Sequence, residues 1–274
     1  MASPTPPTRG TNSTNRKELT FRVSLRACSS FGRALASHAR GGRFEPDQVH
    51  QTVSESNKNQ TPSVNCYNKF MEKVDYKKKL KDLYQVKLGK PAVIQVPKMN
   101  FIMIDGKGDP NTSQEYIDAI QTLYPVAYTI KFTCKNKYDT DFGVMPLKGL
   151  WWTENMADFS MEDKSNWLWT AMILQPDVVT EDIYNQAVIQ VKEKKSPKSL
   201  DKLRFASFDE GQVAQVMYIG PYCDEGPMIL ELHKFIKEQG GSLNKNNKHH
   251  HEIYLCDPRR TDPAKLKTII RQPF

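Results

Sequence analysis

The chain has no long apolar run. Its uninterrupted hydrophobic stretches are only a few residues, against the roughly 20 that a bilayer-spanning helix needs. A membrane span is therefore not expected. Cysteine is sparse and unpatterned. Cys28, Cys66, Cys134, Cys223 and Cys256 are odd in number and contain no CxxC pair. That spacing argues against a disulfide framework and a zinc ribbon, and it suits a reducing, cytoplasmic setting. There is no GxSxG, GxGxxG or GxxxxGKS frame. Neither a nucleophile elbow nor a phosphate-cradling loop is written in recognisable form, and Gly106-Lys107-Gly108 reads as a turn.

Acidic residues are scarce in one part of the chain. Residues 1–70 hold ten Lys/Arg and four Asp/Glu, so six of the eight net positive charges fall there. The remaining body is close to neutral with mixed signs, which gives no electrostatic footprint for nucleic acid. Residues 1–70 are rich in Ser, Thr, Asn, Arg and Gly, and their apolar residues keep no period. Such a segment buries too little surface to offset its ordering entropy and reads as a disordered or spurious leader. Its Arg-rich, acid-poor start would also suit an organellar transit peptide. The folded domain is expected over 71–274.

What is present from Met71 onward is periodic. Asp75 to Val86 is a short basic amphipathic stretch, expected as a helix on the domain edge. Val93 to Ile104 alternates and is cut by Pro97, predicting two strand pieces followed by a turn at Asp105 to Pro110. Thr112 with Glu115 matches a capping box. The helix that follows places Tyr116, Ile120, Leu123, Ala127 and Ile130 on one stripe, with a kink expected at Pro125. Strands are predicted at 142–146, 149–153 and 167–174, with an acidic loop over 154–165. Thr180-Glu181-Asp182 opens a second helix that closes on Lys192, Lys194 and Lys195, as the helix dipole favours. Leu203 to Phe208 and Gln212 to Ile219 read as a hairpin about Asp209-Glu210-Gly211. Gly226-Pro227 opens a third helix, ended by Gly240-Gly241. His251 to Cys256 is the last strand.

Strands and helices do not alternate strictly, which disfavours a wound parallel sheet. An α+β fold is expected, with a mixed or antiparallel sheet covered by helices on one side. A strand, helix, strand-pair order early and a strand-pair, helix, strand order late hint at two similar halves about a central groove.

Five segments in order, MNFIMIDGKGDPN from Met99, PLKGLWW from Pro146, WLWTAMILQPD from Trp167, EGQVAQVMYIGPYCDEGP from Glu210 and HEIYLCDPRRTDPAKLKTIIRQP from His251, resemble the GyrI-like small-molecule-binding domain. The closest branch is the free-standing form, related to effector-binding domains of multidrug regulators. The resemblance implies two pseudo-symmetric strand-helix-strand-strand modules with a ligand groove between them. It also implies that the acid matching Glu252 lies in the ligand cavity. Some members look like hydrolases of cyclopropane-bearing alkylating compounds, and others bind ligands or inhibit gyrase. The family often has His just before the IGPY piece, where this chain has Tyr218.

Strand alternation sets the candidate site. Glu252, Tyr254 and Cys256 share one face of the last strand, and His251, Ile253 and Leu255 the other. With Ile253 and Leu255 toward the core, Glu252 and Tyr254 turn to the groove. A carboxylate there could bind a cation or act as a base toward water. Tyr222, just before Asp224 and Glu225, is the second catalytic candidate. Trp151, Trp169 and Trp167 are expected to line the groove and stack on flat ligands, with Tyr128 and Tyr218 as further contacts. The run His249-His250-His251-Glu252 alternates faces and brings no third ligand at a known spacing, so no metal is expected. No cofactor is implied.

The expected partner is an aromatic or lipophilic small molecule, not nucleic acid or membrane. Three functions fit: a hydrolase that detoxifies strained cyclopropane-bearing compounds and so gives drug resistance, a non-catalytic sequestering or sensor module, and a gyrase inhibitor. A DNA-mimicking inhibitor should be strongly acidic, so the last is ranked lowest.

Overall fold

The computed structural model describes residues 73–154, 163–243 and 249–274. The expected leader and most of the acidic loop lie outside them. The strands are β1 (Lys73–Val74), β2 (Ala92–Val96), β3 (Met99–Lys107), β4 (Asp141–Phe142), β5 (Leu147–Trp152), β6 (Leu168–Gln175), β7 (Arg204–Phe208), β8 (Gly211–Ile219), β9 (His250–Tyr254) and β10 (Lys267–Pro273). The α-helices are α1 (Tyr76–Lys79), α2 (Lys81–Tyr84), α3 (Gln114–Lys137), α4 (Glu181–Lys194) and α5 (Gly226–Glu238).

Eight strands form one sheet in the order β2-β8-β10-β9-β5-β6-β3-β7, and every pairing within it is antiparallel. Two modules of the same build supply six of its strands, with β2 and β7 at the two edges. In β3-α3-β5-β6 the last strand pairs with both the first and the middle one. In β8-α5-β9-β10 the same holds. The middle strands β5 and β9 pair with each other at the centre. This is the α+β arrangement of two pseudo-symmetric halves that the resemblance implies, with the late half ordered strand, helix, strand pair because β10 follows β9.

The hairpin expected at Asp209 to Gly211 does not form. β7 pairs with β3, while β8 pairs with β2 and β10. Val96 faces Gly211 and Met99 faces Phe208. The register thus continues unbroken across Pro97-Lys98 and Asp209-Glu210, and β2-β3 runs alongside β7-β8 as one long bent ribbon. Turn residues at 209–211 therefore make a corner in a continuing ribbon rather than a reversal. Long-range pairing overrides the local turn signal.

α3 and α5 lie on one face of the sheet. α3 buries Tyr116, Ala119, Ile120, Leu123, Val126, Ala127 and Ile130 at spacings of three and four. It runs through Pro125 as a single helix, and its N-cap is Ser113, accepting from Tyr116 N, rather than Thr112. α5 sets Leu232 and Ile236 on Ala214, Val216 and Ile270 in a core of its own. Thr180 caps α4 through Ile183 N, and α4 packs on α3.

The helix expected over Asp75 to Val86 forms as two short pieces, α1, which buries no residue, and α2. α2 buries Leu83 and Tyr84 against the opposite face of the sheet. Arg271 of β10 donates to the Leu83 carbonyl at 2.6 Å, and Gln215 of β8 to the Asp82 carbonyl at 2.9 Å. The strand expected over 142–146 shrinks to β4, which pairs with β1 in parallel. The turn expected from Asp105 starts later, because β3 continues to Lys107. Cys134 and Cys256 are free thiols, while Cys223 is disulfide-bonded, a departure from uniformly unpaired cysteines. No helix among the described residues is long and apolar enough to cross a membrane.

Candidate functional site

Strand alternation brings the key side chains of the two central strands to the helix-bearing face. β9 presents His250, Glu252 and Tyr254 there. β5 presents Gly149, paired with Glu252, and Trp151, paired with His250. Glu252 and Tyr254 share one face of β9. The Tyr254 hydroxyl donates to Glu252 Oε2 at 2.6 Å, and His250 Nε2 lies 3.1 Å from Glu252 Oε1.

A second carboxyl belongs to the same cluster. Glu225 is the N-cap residue of α5, but its side chain makes no capping hydrogen bond. It is buried instead, and its Oε1 has no hydrogen-bond partner. The two acids are driven apart. Burial pushes Glu225 well above the usual carboxylate range, and the Glu252 charge adds to this. Thr268 stands close enough to favour the Glu225 anion, though short of hydrogen-bond geometry. Burial also works against the Glu252 charge. Hydrogen bonds from His250 and Tyr254, with the Lys164 ammonium nearby, nevertheless hold it below the usual range. The proton is therefore favoured on Glu225 and disfavoured on Glu252. A proton donor and a proton acceptor thus face one site, the division of labour that acid-base chemistry uses.

Aromatic rings surround the pair. Tyr222 stands edge-on to Tyr254, with ring centroids 5.4 Å apart. Burial, then the charges of Glu225 and Glu252, push its hydroxyl pKa up, so it stays a neutral donor. Tyr116 of α3 feels Glu252 and Tyr222, and it contacts Trp169 at 5.0 Å and Trp151 at 5.7 Å. Trp151 and Trp167 are 5.7 Å apart. The three tryptophans are almost fully buried, so they form the floor of the cluster rather than a free-standing wall. Two glycines make room for them. A Cβ at Gly149 would lie 2.7 Å from the Trp151 indole, and one at Gly106 would collide with Trp169.

The remaining candidates sit further out. Trp152 points away from Trp151, as alternation requires, and stacks on His249 at 4.1 Å. Tyr218 lies across from Thr268, and its hydroxyl donates to the Pro221 carbonyl. Tyr128 is exposed on α3, close to Tyr124 and Arg259. His251 points to the opposite face and meets Glu210. No group of three or more His, Cys, Asp or Glu among the described residues is arranged to hold a metal ion. The residues missed from the sequence are Glu225, Tyr116, His250 and Lys164. Alternation already placed His250 on the Glu252 face and the helix stripe already held Tyr116, while Glu225 showed only as an acid one residue before the Gly226-Pro227 helix start.

The fold and the site define a small-molecule-binding domain of two pseudo-symmetric halves with an acid pair over an aromatic floor. The profile of the GyrI-like small molecule binding domain matches residues 89–273, and the chain belongs to that family. It is similar to an uncharacterised conserved protein from Listeria innocua at 41% identity and a TM-score of 0.66, covering 73% of this chain and 98% of that one. A hydrolase from the same organism is 40% identical with a TM-score of 0.65, covering 74% and 99%. Another Listeria innocua hydrolase is 38% identical with a TM-score of 0.62, covering 73% and 98%. Comparison with curated proteins finds no match.

Proposed function

We propose that this protein binds aromatic or lipophilic electrophiles in the groove between its halves and opens a strained ring in them by adding water, a detoxifying hydrolysis. One observation carries the reading: two buried carboxyls in one aromatic site, Glu252 hydrogen-bonded by Tyr254 and His250 and Glu225 with an unpartnered Oε1, so that the proton is favoured on Glu225 over Glu252. The likeness to two hydrolases at about 40% identity supports it. The substrate class is cyclopropane-bearing compounds conjugated to a carbonyl.

In the reaction, Glu252 takes a proton from water as the water oxygen bonds to the ring methylene. The ring carbon–carbon bond breaks, and its electron pair passes through the conjugated system to the carbonyl oxygen. Glu225 gives that oxygen its proton, with the Tyr222 hydroxyl as an additional donor. Solvent returns the proton from Glu252 to Glu225, and the net change is one added water. Ring strain lowers the barrier already, so positioning plus acid-base help of about 10²–10⁴-fold suffices.

The test incubates the protein with a cyclopropane-bearing alkylator and follows water addition by mass spectrometry. Turnover in the native protein, lost in Glu252→Gln while the ligand still quenches tryptophan fluorescence, is the expected result. Quenching without water addition in the native protein overturns hydrolysis in favour of sequestration.

A further inference from the structure

The same two central strands carry a second polar cluster on their other face, which the groove chemistry leaves unused. Lys148 of β5 is fully buried, and its Nζ has no hydrogen-bond partner. It lies 5.3 Å from the ring centroids of both Tyr84 and Phe101. His251 Nδ1 is 2.7 Å from Glu210 Oε1. The carboxylate fixes the tautomer with the proton on Nδ1, which leaves a lone pair on Nε2. That Nε2 is also buried without a partner, as is the Tyr84 hydroxyl. Arg271 completes the group, donating to Gln215 Oε1 at 2.8 Å and to Leu83 O at 2.6 Å, with its Nη1 3.4 Å from Glu210 Oε2.

Three orphaned polar atoms in one buried cluster are costly, since each forfeits its hydrogen bonds to water. The charge balance sharpens the point. Arg271 and Glu210 cancel, so a protonated Lys148 would leave one uncompensated positive charge in the interior. Burial, and then the Arg271 charge, pull the Lys148 ammonium down to about 7 against the opposing pull of Glu210. A neutral, nucleophilic amine is thus present at physiological pH.

We propose that Lys148 is a carbon dioxide modification site, its Nζ taking up CO2 as a carbamate. The amine lone pair bonds to the CO2 carbon, one C–O π pair moves onto oxygen, and the nitrogen gives up a proton to His251 Nε2, an imidazole that burial holds down to about 4 and that the new carbamate anion makes more basic. No oxidant or further reactant is needed. The product pairs a carbamate anion with a His251 imidazolium held by Glu210. Charge balances, and the carbamate oxygens offer acceptors to the Tyr84 hydroxyl and to His251 Nε2–H. All three orphaned atoms then have partners.

The experiment records 13C NMR of the full-length protein in 13C-labelled bicarbonate. A protein-bound carbamate resonance is expected that grows with bicarbonate, vanishes on acidification and is absent in Lys148→Met. The resonance should persist in Glu252→Gln, which separates this site from the groove. In His251→Gln, occupancy at a given bicarbonate concentration should fall several-fold. No bicarbonate-dependent resonance in the native protein, or one that survives in Lys148→Met, overturns the proposal. Should Lys148→Met fail to fold, alkylating the native protein in bicarbonate to trap its carbamate and mapping the adduct by mass spectrometry decides, and an adduct found only at other amines overturns the proposal.

Discussion

Tyr254 and Glu252, two residues apart on β9, are joined by a 2.6 Å hydrogen bond from the phenol to the carboxylate. The contact uses the period-two geometry of a strand, which puts both side chains on one face. It stabilises the Glu252 anion in a site where burial alone would neutralise it.

Tyr254→Phe removes that donor and leaves the ring. A hydrogen bond to a charged group contributes about 1.5–3 kcal/mol, which corresponds to roughly 1–2 pH units. The Glu252 pKa should rise, so the acidic limb of a pH–rate profile moves upward. An unmoved limb would mean that His250 and Lys164 hold the anion without Tyr254.

Glu225→Gln should erase the alkaline limb. The native carboxyl is raised well above the usual range and is useful while protonated. Activity therefore falls as pH climbs through its folded value. The sign for stability is the same: a raised carboxyl favours folding at low pH, and that contribution is lost as the pH rises past the folded value. In Glu225→Gln both losses disappear, which paired rate and urea-unfolding series across pH would register.

Gly106→Ala should destabilise the fold, since the new methyl meets the Trp169 indole. Overpacking of this kind costs about 1–3 kcal/mol. A lowered urea midpoint and altered tryptophan fluorescence are expected. Gly143→Ala, where nothing lies within 4 Å of the added carbon, serves as the control.

Arg271→Leu should be more damaging. It strips Glu210 of its buried counter-charge and releases the Leu83 carbonyl of α2. Breaking such a pair costs about 3–5 kcal/mol. Hydrogen exchange should show the 81–84 turn losing protection first. A loss below about 1 kcal/mol would show that α2 is held without Arg271, by its apolar contacts and the Gln215 hydrogen bond.

Much of this architecture is local and was legible in the chain. The stripe from Tyr116 to Ile130, the Thr180 cap and the alternation of β9 depend on neighbours a few residues away. So did the placing of Glu252 and Tyr254 on one face. Sequence resemblance supplied the family and the two-module plan. Turn chemistry at Asp209 to Gly211 misled because a hairpin and a corner in a continuing ribbon use the same residues. Only the partners of β7 and β8 distinguish them.

Tertiary structure alone decided what the acids and bases are. Glu225 is an ordinary helix-start acid by sequence, and Lys148 an ordinary strand lysine. Each becomes chemically distinct because distant segments remove its water: Glu252 and Thr268 beside the first, Tyr84, Phe101 and Arg271 around the second. Periodicity determines which way a side chain faces. The dielectric and the charges it then meets are sums over residues far apart in the chain, and those sums exist only once the sheet has closed over them.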